Sequence, residues 1–145
     1  MKKISILLVE DNPHEEVLAT RILEQQGIFS EVVVAHDGAE ALDNLLRNGD
    51  QGDKDQVEMP SLILLDLNLP KIHGLEVLRR VRAHPRTKLI PVVIFSSSDE
   101  NRDIAKAYEL GANSYIQKSI DFDEFSESIK RVSEYWGLLN TFIHA

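Results

Sequence analysis

The chain has 145 residues, 43% of them hydrophobic, which predicts one domain with a substantial core, and the absence of cysteine excludes disulfide bonds, thiolate catalysis and cysteine-ligated zinc. A formal net charge of −8 disfavours nonspecific binding to nucleic acid or anionic lipid. The sequence contains no apolar stretch of membrane-spanning length and no signal-peptide pattern, so we expect a cytoplasmic protein without a membrane partner.

Hydrophobic patterning predicts five strands that alternate with five helices. The predicted strands cover residues 4–9, 31–35, 62–65, 91–95 and 114–117. The predicted helices cover residues 14–26, 39–47, 74–84, 101–110 and 123–139. Because each connection between parallel strands needs a crossover helix, this alternation predicts a doubly wound α/β sheet. Residues 48–59 have no apolar period and are predicted to form a mobile surface loop.

Polar side chains follow four of the five predicted strands. Glu10 and Asp11 come after the first, Asp66 after the third, Ser96 after the fourth and Lys118 after the fifth. Each of these residues alone is typical of a solvated turn. In a parallel sheet, however, all of them fall on the carboxyl edge, where such folds bind ligands. Three acids, a hydroxyl and a lysine at one edge predict a site for a hard cation and a phosphate group.

This pattern resembles the receiver domain of two-component response regulators. The resemblance rests on the acidic pair, on Asp66 with residues 67–70 and Gly74 behind it, and on Ser96 and Lys118. It covers about residues 4–139 and implies a flavodoxin-like receiver fold with strand order 2-1-3-4-5. We therefore expect a single receiver domain over the whole chain, 1–145, with an apolar C-terminal extension over 135–145 and no output domain.

A narrower similarity is to the small stand-alone regulators of bacterial and cyanobacterial phytochrome kinases. It rests on the long loop before the third strand, on the pair Lys118 and Ser119, and on Tyr135 and Trp136 near the C-terminus. It implies a phosphorelay protein that takes a phosphoryl group from a sensor histidine kinase in phytochrome-type light signalling. Such a regulator signals by phosphorylation-controlled protein contact, and it is not an enzyme beyond its own phosphorylation and dephosphorylation.

The resemblance also implies a role for each polar residue at the sheet edge. Asp66 is the expected phosphoacceptor, and Lys118 and Ser96 are expected to contact phosphoryl oxygens. Mg²⁺ is the expected cofactor, because clustered carboxylates repel one another unless a cation compensates, and Mg²⁺ prefers oxygen ligands. The implied metal ligands are the side chains of Asp11 and Asp66 and the backbone carbonyl of Asn68, with Glu10 bound through water.

Further roles are implied for four residues near the phosphoacceptor. Ser96 and Tyr115 are the expected switch pair, in which the tyrosine turns inward as the serine moves. A tyrosine that lies on the surface of an edge strand without switching is the alternative. Asn68 and Ser98 occupy positions where family members tune the hydrolysis of the phosphate.

One departure from the family concerns the peptide bond after the lysine. The family usually has a cis proline there, whereas Ser119 follows Lys118 in this chain. A cis bond before a residue other than proline costs about 2.5–4 kcal/mol. Either the site imposes that strain, or the bond is trans and Lys118 is placed differently.

The apolar row of the last helix runs beyond the length needed to cover the sheet. An exposed row of this kind is a liability in a monomer. We therefore expect a homodimer through the last helix and tail, or burial of the tail against a kinase partner. The predicted interface residues are Tyr135, Trp136, Leu139, Phe142 and Ile143.

Two other function classes compete with the phosphorylation switch. A metal-dependent phosphatase with an aspartate nucleophile usually has a second acid two residues after the nucleophile, and here that residue is Asn68. A receiver-like interaction module would keep the fold without phosphorylation, although the joint presence of Asp11, Asp66, Ser96 and Lys118 argues against it. Nucleotide binding is excluded, because neither glycine-rich phosphate motif occurs in the sequence.

Overall fold

The computed structural model describes residues 3–47 and 59–143. The strands are β1 (Ser5–Val9), β2 (Glu31–Ala35), β3 (Leu62–Leu65), β4 (Val92–Ser96) and β5 (Ser114–Gln117). They form one parallel sheet in the order β2-β1-β3-β4-β5. The predicted fold class and strand order are therefore confirmed. The predicted surface loop, apart from Met59, lies outside the described residues.

Within the described residues, five helices connect and flank the strands. They are α1 (Pro13–Gln26), α2 (Gly38–Leu42), α3 (Gly74–Ala83), α4 (Asn101–Glu109) and α5 (Phe122–Glu134). In two of them the α-helical part ends earlier than the sequence predicts. Helices α2 and α5 each continue into one π-helical turn, Asp43–Arg47 and Tyr135–Leu139. Within the described part of the chain, no helix has the length and apolar character needed to cross a membrane.

The helices cover both faces of the sheet, and each face has its own hydrophobic cluster. Along β1, Leu7 and Val9 belong to the cluster that packs with α2 and α3, whereas Ile6 and Leu8 belong to the cluster that packs with α1 and α5. All four residues of β3, Leu62–Leu65, are fully buried. Burial on both faces explains why the central strands are uninterrupted apolar runs in the sequence.

Helix α1 begins directly after the acidic pair because of a strong local start signal. The side chain of Asn12 accepts hydrogen bonds from the backbone N–H groups of His14 and Glu15, at 3.0 and 3.1 Å. Pro13 occupies the first helical position, where a missing N–H is tolerated. The first turn of α1, with Glu15 and Glu16, therefore lies beside the carboxyl ends of the strands.

The loop between β3 and α3 depends on a glycine. The backbone N–H of Gly74 donates a hydrogen bond to the Leu67 carbonyl at 2.8 Å. A Cβ at this position would meet the Asp66 carbonyl oxygen and would stand 2.6 Å from Leu67 Cα. Only glycine allows the start of α3 to approach so close to the residue after β3.

The end of the chain packs partly on its own core. Trp136 is half-buried against the cluster under α1 and α5, and Gly137 lies against Ile28. Trp136 is thus partly covered without any partner chain, which the sequence alone did not indicate. Leu138 and Leu139 point outward and are 70% and 74% exposed.

Candidate functional site

The structure brings the three predicted acids together at the carboxyl edge of the sheet. One carboxylate oxygen from each of Glu10, Asp11 and Asp66 lies within 4.8 Å of the other two. The cause is the strand register: Val9 pairs with Leu65, so the residues that follow β1 and β3 are neighbours. Glu10 and Asp66 are buried, while Asp11 is exposed at the mouth of the cluster.

Lys118 reaches the same cluster from β5. Its Nζ donates to Glu10 Oε1 at 2.7 Å, to Glu15 Oε1 at 2.7 Å and to Asp66 Oδ2 at 3.1 Å. The side chain is 6% exposed, and its ammonium group stands 5.7 Å from the centre of the Phe95 ring. The Lys118 backbone N–H donates to the Ser96 carbonyl at 2.8 Å, which holds the end of β5 beside β4.

The charges of this cluster do not balance. Burial raises the pKa of the Glu10 carboxyl to about 7, and the charge of Asp66 adds to this, while Lys118 only partly offsets it. Burial alone would lower the pKa of Lys118, but the charges of Asp66 and Glu10 and the hydrogen bond to Glu15 outweigh burial and raise it. The lysine is therefore firmly charged, and the acids outnumber it.

The donor set fits a hard divalent cation. The cluster offers only oxygen ligands from Glu10, Asp11 and Asp66, and it carries more negative charge than Lys118 neutralises. The Asn68 backbone N–H donates to Asp66 Oδ1 at 3.4 Å, so this residue lies beside the carboxylate. The metal-ligand roles of Asp11, Asn68 and Glu10 stay predictions.

Ser96, Ser98 and Tyr115 form a connected group next to the cluster. Ser96 is fully buried, and its Oγ accepts from the Ser98 backbone N–H at 3.2 Å. The Tyr115 hydroxyl donates to the Ser98 carbonyl at 2.9 Å, and its half-buried ring packs against the core. Tyr115 is thus directed toward the loop after β4, and the movement expected of the switch pair stays a prediction.

The peptide bond between Lys118 and Ser119 is trans, since none of the peptide bonds in the described residues is cis. Lys118 nevertheless contacts Asp66. The loop that follows is organised by side-chain hydrogen bonds: the Asp121 backbone N–H donates to Ser119 Oγ, and the Asp121 side chain accepts from the Glu124 N–H.

Sequence reasoning missed Glu15, whose carboxylate is one of three that contact Lys118. A signal for it does exist. The Asn12-Pro13 pair marks a helix start, and an acid in the first turn of that helix lies near the end of the preceding strand. Which of the two acids there, Glu15 or Glu16, contacts the lysine depends on the rotation of α1, which the sequence does not specify.

Comparison with known proteins agrees with this geometry. The family model described as the response regulator receiver domain matches residues 6–130. The probable methanogenesis regulatory protein FilR2 of Methanothrix harundinacea is 37% identical over 90% of this chain and 82% of its own length. Response regulator Rcp1 of Synechocystis is 36% identical, over 90% of this chain and 87% of its own.

Solved structures extend the likeness to the whole described fold. The Mn²⁺-bound form of Rcp1 superposes with a TM-score of 0.87 at 34% identity, covering 97% of this chain and 99% of the other. The phosphorylated cyanobacterial phytochrome response regulator RcpA gives 0.89 at 37% identity, covering 99% and 100%. With its five-stranded sheet and its cluster of acids and lysine, the chain belongs to the response regulator receiver domain family.

Proposed function

We propose that this protein is a phosphorylation switch in which Asp66 accepts a phosphoryl group in a Mg²⁺-dependent reaction. The observation that carries the proposal is the contact of Lys118 with Asp66 inside a cluster of three acids. A carboxylate that is held next to both a cation site and an ammonium group is placed for phosphoryl transfer, where positioning and charge neutralisation supply the catalysis.

The chemistry follows from the side chains at the cluster. An Asp66 carboxylate oxygen forms a bond to phosphorus while the bond from phosphorus to the donor nitrogen breaks, and the nitrogen keeps the electron pair. Asp11 and Asp66 would hold Mg²⁺, which would supply positive charge to neutralise the phosphoryl oxygens. Lys118 donates a hydrogen bond to one phosphoryl oxygen, and the Ser96 hydroxyl donates to another.

The hydrogen bonds around Ser96 support a route from the site to the edge of the sheet. Movement of Ser96 toward a phosphoryl group would pull on the Ser98 backbone N–H. The carbonyl of Ser98 accepts from the Tyr115 hydroxyl, so the pull would extend to Tyr115. The added charge of about −1.5 to −2 is large enough to bias such a rearrangement. We propose that protein contact at the β5 edge reads the change, and that Asn68 and Ser98 tune the lifetime of the phosphate.

We propose a sensor histidine kinase as the phosphoryl donor, and a phytochrome kinase as the specific donor. Support for the specific donor is the likeness to RcpA, a phytochrome response regulator, and to the bacteriophytochrome response regulator AtBRR, at 37% and 41% identity. Catalysis by this chain is then confined to its own phosphorylation and dephosphorylation. A phosphorylation-independent interaction module is the competing function.

We further propose that two copies associate through the tail. Leu138, Leu139 and Ile143 are exposed, and Tyr135 and Trp136, which precede them in the chain, line a groove together with Ile116 and Val132. The Tyr135 ring stands edge-on to Trp136, and Phe142, which follows in the tail, is half-buried. Exposed apolar side chains that are clustered in one segment are typical of an interface, and a second copy offers a matching set.

The phosphoacceptor proposal is tested by intact mass after incubation with phosphoramidate, with and without Mg²⁺. We expect one phosphate adduct on the wild-type protein, formed only with Mg²⁺ and absent from Asp66→Asn. Asp123→Asn is the matched control, because it removes an acid from the first turn of α5, outside the cluster, and should be phosphorylated normally. A wild-type protein that stays unmodified would favour the interaction module.

A further inference from the structure

The three acids that contact Lys118 differ in how far they are exposed. The side chains of Glu10 and Asp66 are 3% and 8% exposed, whereas that of Glu15 is 37% exposed. Glu15 comes from helix α1 and is not one of the clustered acids that fit a metal ion. Its bond to Lys118 is nevertheless as short as that of Glu10, at 2.7 Å.

We propose that Glu15 is a positioning residue for Lys118: it binds the ammonium group from outside the cluster of metal-fitting acids, and its negative charge opposes the arrival of a phosphoryl group. This inference rests on the proposed phosphoacceptor function of Asp66. An ammonium group has three N–H donors, and here three carboxylates, from Glu10, Glu15 and Asp66, accept from Lys118. A phosphoryl oxygen can accept from Lys118 only if one of these carboxylates is displaced.

The first consequence concerns the metal. A cation at the cluster competes with Lys118 for the oxygens of Glu10 and Asp66. Glu15 gives Lys118 a partner that the metal does not need, so the ammonium group can turn toward Glu15 while the metal binds to Glu10 and Asp66. Without the charge of Glu15, Lys118 would depend more on Glu10 and Asp66, and Mg²⁺ would bind more weakly.

The second consequence concerns the transfer step. In the transition state Lys118 contacts a phosphoryl oxygen through an N–H group that the metal has freed from Glu10 or Asp66, while Glu15 still accepts from the same ammonium group. The Glu15 carboxylate also lies close to the incoming negative charge, which it repels. Once the metal is bound, Glu15 therefore opposes phosphorylation, and removing its charge should speed the reaction.

Glu16 supplies the matched control for the same helical turn. Both acids lie in the first turn of α1, where a negative charge is favourable near the helix N-terminus. Glu16, however, accepts from Thr20 Oγ1 at 3.1 Å and faces His36 Nε2 at 3.4 Å. A Glu16→Gln change removes the same charge from the same turn without touching the partners of Lys118.

The test compares wild type, Glu15→Gln and Glu16→Gln in two measurements. Calorimetric titration with Mg²⁺ alone, without a phosphoryl donor, should give a dissociation constant about two- to fivefold higher for Glu15→Gln. At saturating Mg²⁺, phosphoramidate should phosphorylate Glu15→Gln about two- to fivefold faster than wild type, as followed by intact mass. Glu16→Gln should match wild type in both measurements, and thermal unfolding checks that all three proteins are folded.

The opposite signs of the two effects separate positioning from a general structural role, because a loosened site would bind Mg²⁺ more weakly and also react more slowly. If Glu15→Gln reacts at the wild-type rate or more slowly while wild type is phosphorylated, the inference about Glu15 is wrong and the proposed function stands. If wild type itself gives no adduct, the proposed function fails first. A Mg²⁺ affinity that is unchanged in Glu15→Gln would also overturn the positioning role.

Discussion

The buried carboxyl group of Glu10 affects both the charge of the site and the pH dependence of folding stability. Its carboxyl has a pKa of about 7 in the folded protein, above the ordinary value of 4.5, because burial disfavours its charged form. Between these two values the folded state holds a proton on Glu10 that the unfolded state has lost. The stability that Glu10 contributes is therefore present below about pH 4.5 and is lost as the pH rises to about 7.

We predict that the free energy of unfolding of the metal-free protein falls from pH 5 to pH 7 more steeply than that of Glu10→Gln. The excess slope should reach up to about 1.4 kcal/mol per pH unit. Urea unfolding in the presence of a chelator at pH 5, 6 and 7 measures it. The exposed Glu109→Gln serves as control and should keep the wild-type slope. If the free energy of unfolding depends on pH in the same way for wild type and Glu10→Gln, Glu10 does not cause the predicted loss of stability.

For individual residues, the sequence predicted the positions of the main site residues but not all of their contacts. Glu10, Asp66 and Lys118 could be placed together because parallel strands bring their carboxyl ends to one edge. The contact between Glu15 and Lys118 could not be predicted, since it depends on the rotation of α1 about its axis and on a lysine that bends back over β4.

Among the elements, the loop from β3 to α3 sets the backbone position of Asp66, the proposed phosphoacceptor. We predict that Gly74→Ala destabilises the protein by about 1–3 kcal/mol, because the added methyl group meets the Asp66 carbonyl and the Leu67 backbone. Phosphorylation by phosphoramidate should slow as the Asp66 backbone shifts. Urea unfolding and intact mass measure the two effects.

Gly27→Ala is the control for this prediction. Gly27 has φ 64°, so alanine is strained there, but an added Cβ would meet no atom within 4 Å. We expect a stability loss of about 1 kcal/mol with normal phosphorylation. A Gly74→Ala protein that is phosphorylated at the wild-type rate would show that the close approach of α3 does not position Asp66.

The elements themselves were largely predictable, and their ends were less so. The strand predicted over 91–95 lies one residue later, at Val92–Ser96, because Ser96 pairs with Gln117 of β5. The π-helical turns after α2 and α5 have no counterpart in the sequence pattern, since apolar residues at spacings of three and four fit a continuing α-helix equally well. Such boundaries are decided by tertiary contacts.

For the whole molecule, the proposed dimer makes the exposed tail a target for mutation. We predict that wild type sediments as a concentration-dependent dimer and that Leu139→Glu shifts the dissociation constant by at least about tenfold, because a charge in an apolar interface is desolvated without a partner. Analytical ultracentrifugation over a range of concentrations measures the shift. A single substitution is a sharper test than truncation, which would also remove the contacts of Trp136 and Gly137 with their own core.

Leu89→Glu is the control for the dimer, since Leu89 is 65% exposed in the connection between α3 and β4 and is not part of the tail. It should leave the sedimentation of the protein unchanged. A wild-type protein that is monomeric at every concentration, or a dimer that tolerates Leu139→Glu, would remove the tail from the interface.

The burial of the strands is uneven across the sheet. Every residue of β3 and β4 is buried, whereas β5, which leads to Lys118, is only partly buried along its length. The residues that stabilise the fold are therefore largely separate from those available for recognition at the β5 edge. Substitutions along that edge can alter which partner binds while the folding free energy changes little. Partner choice can then diverge among related chains without loss of the fold, because different residues determine each property.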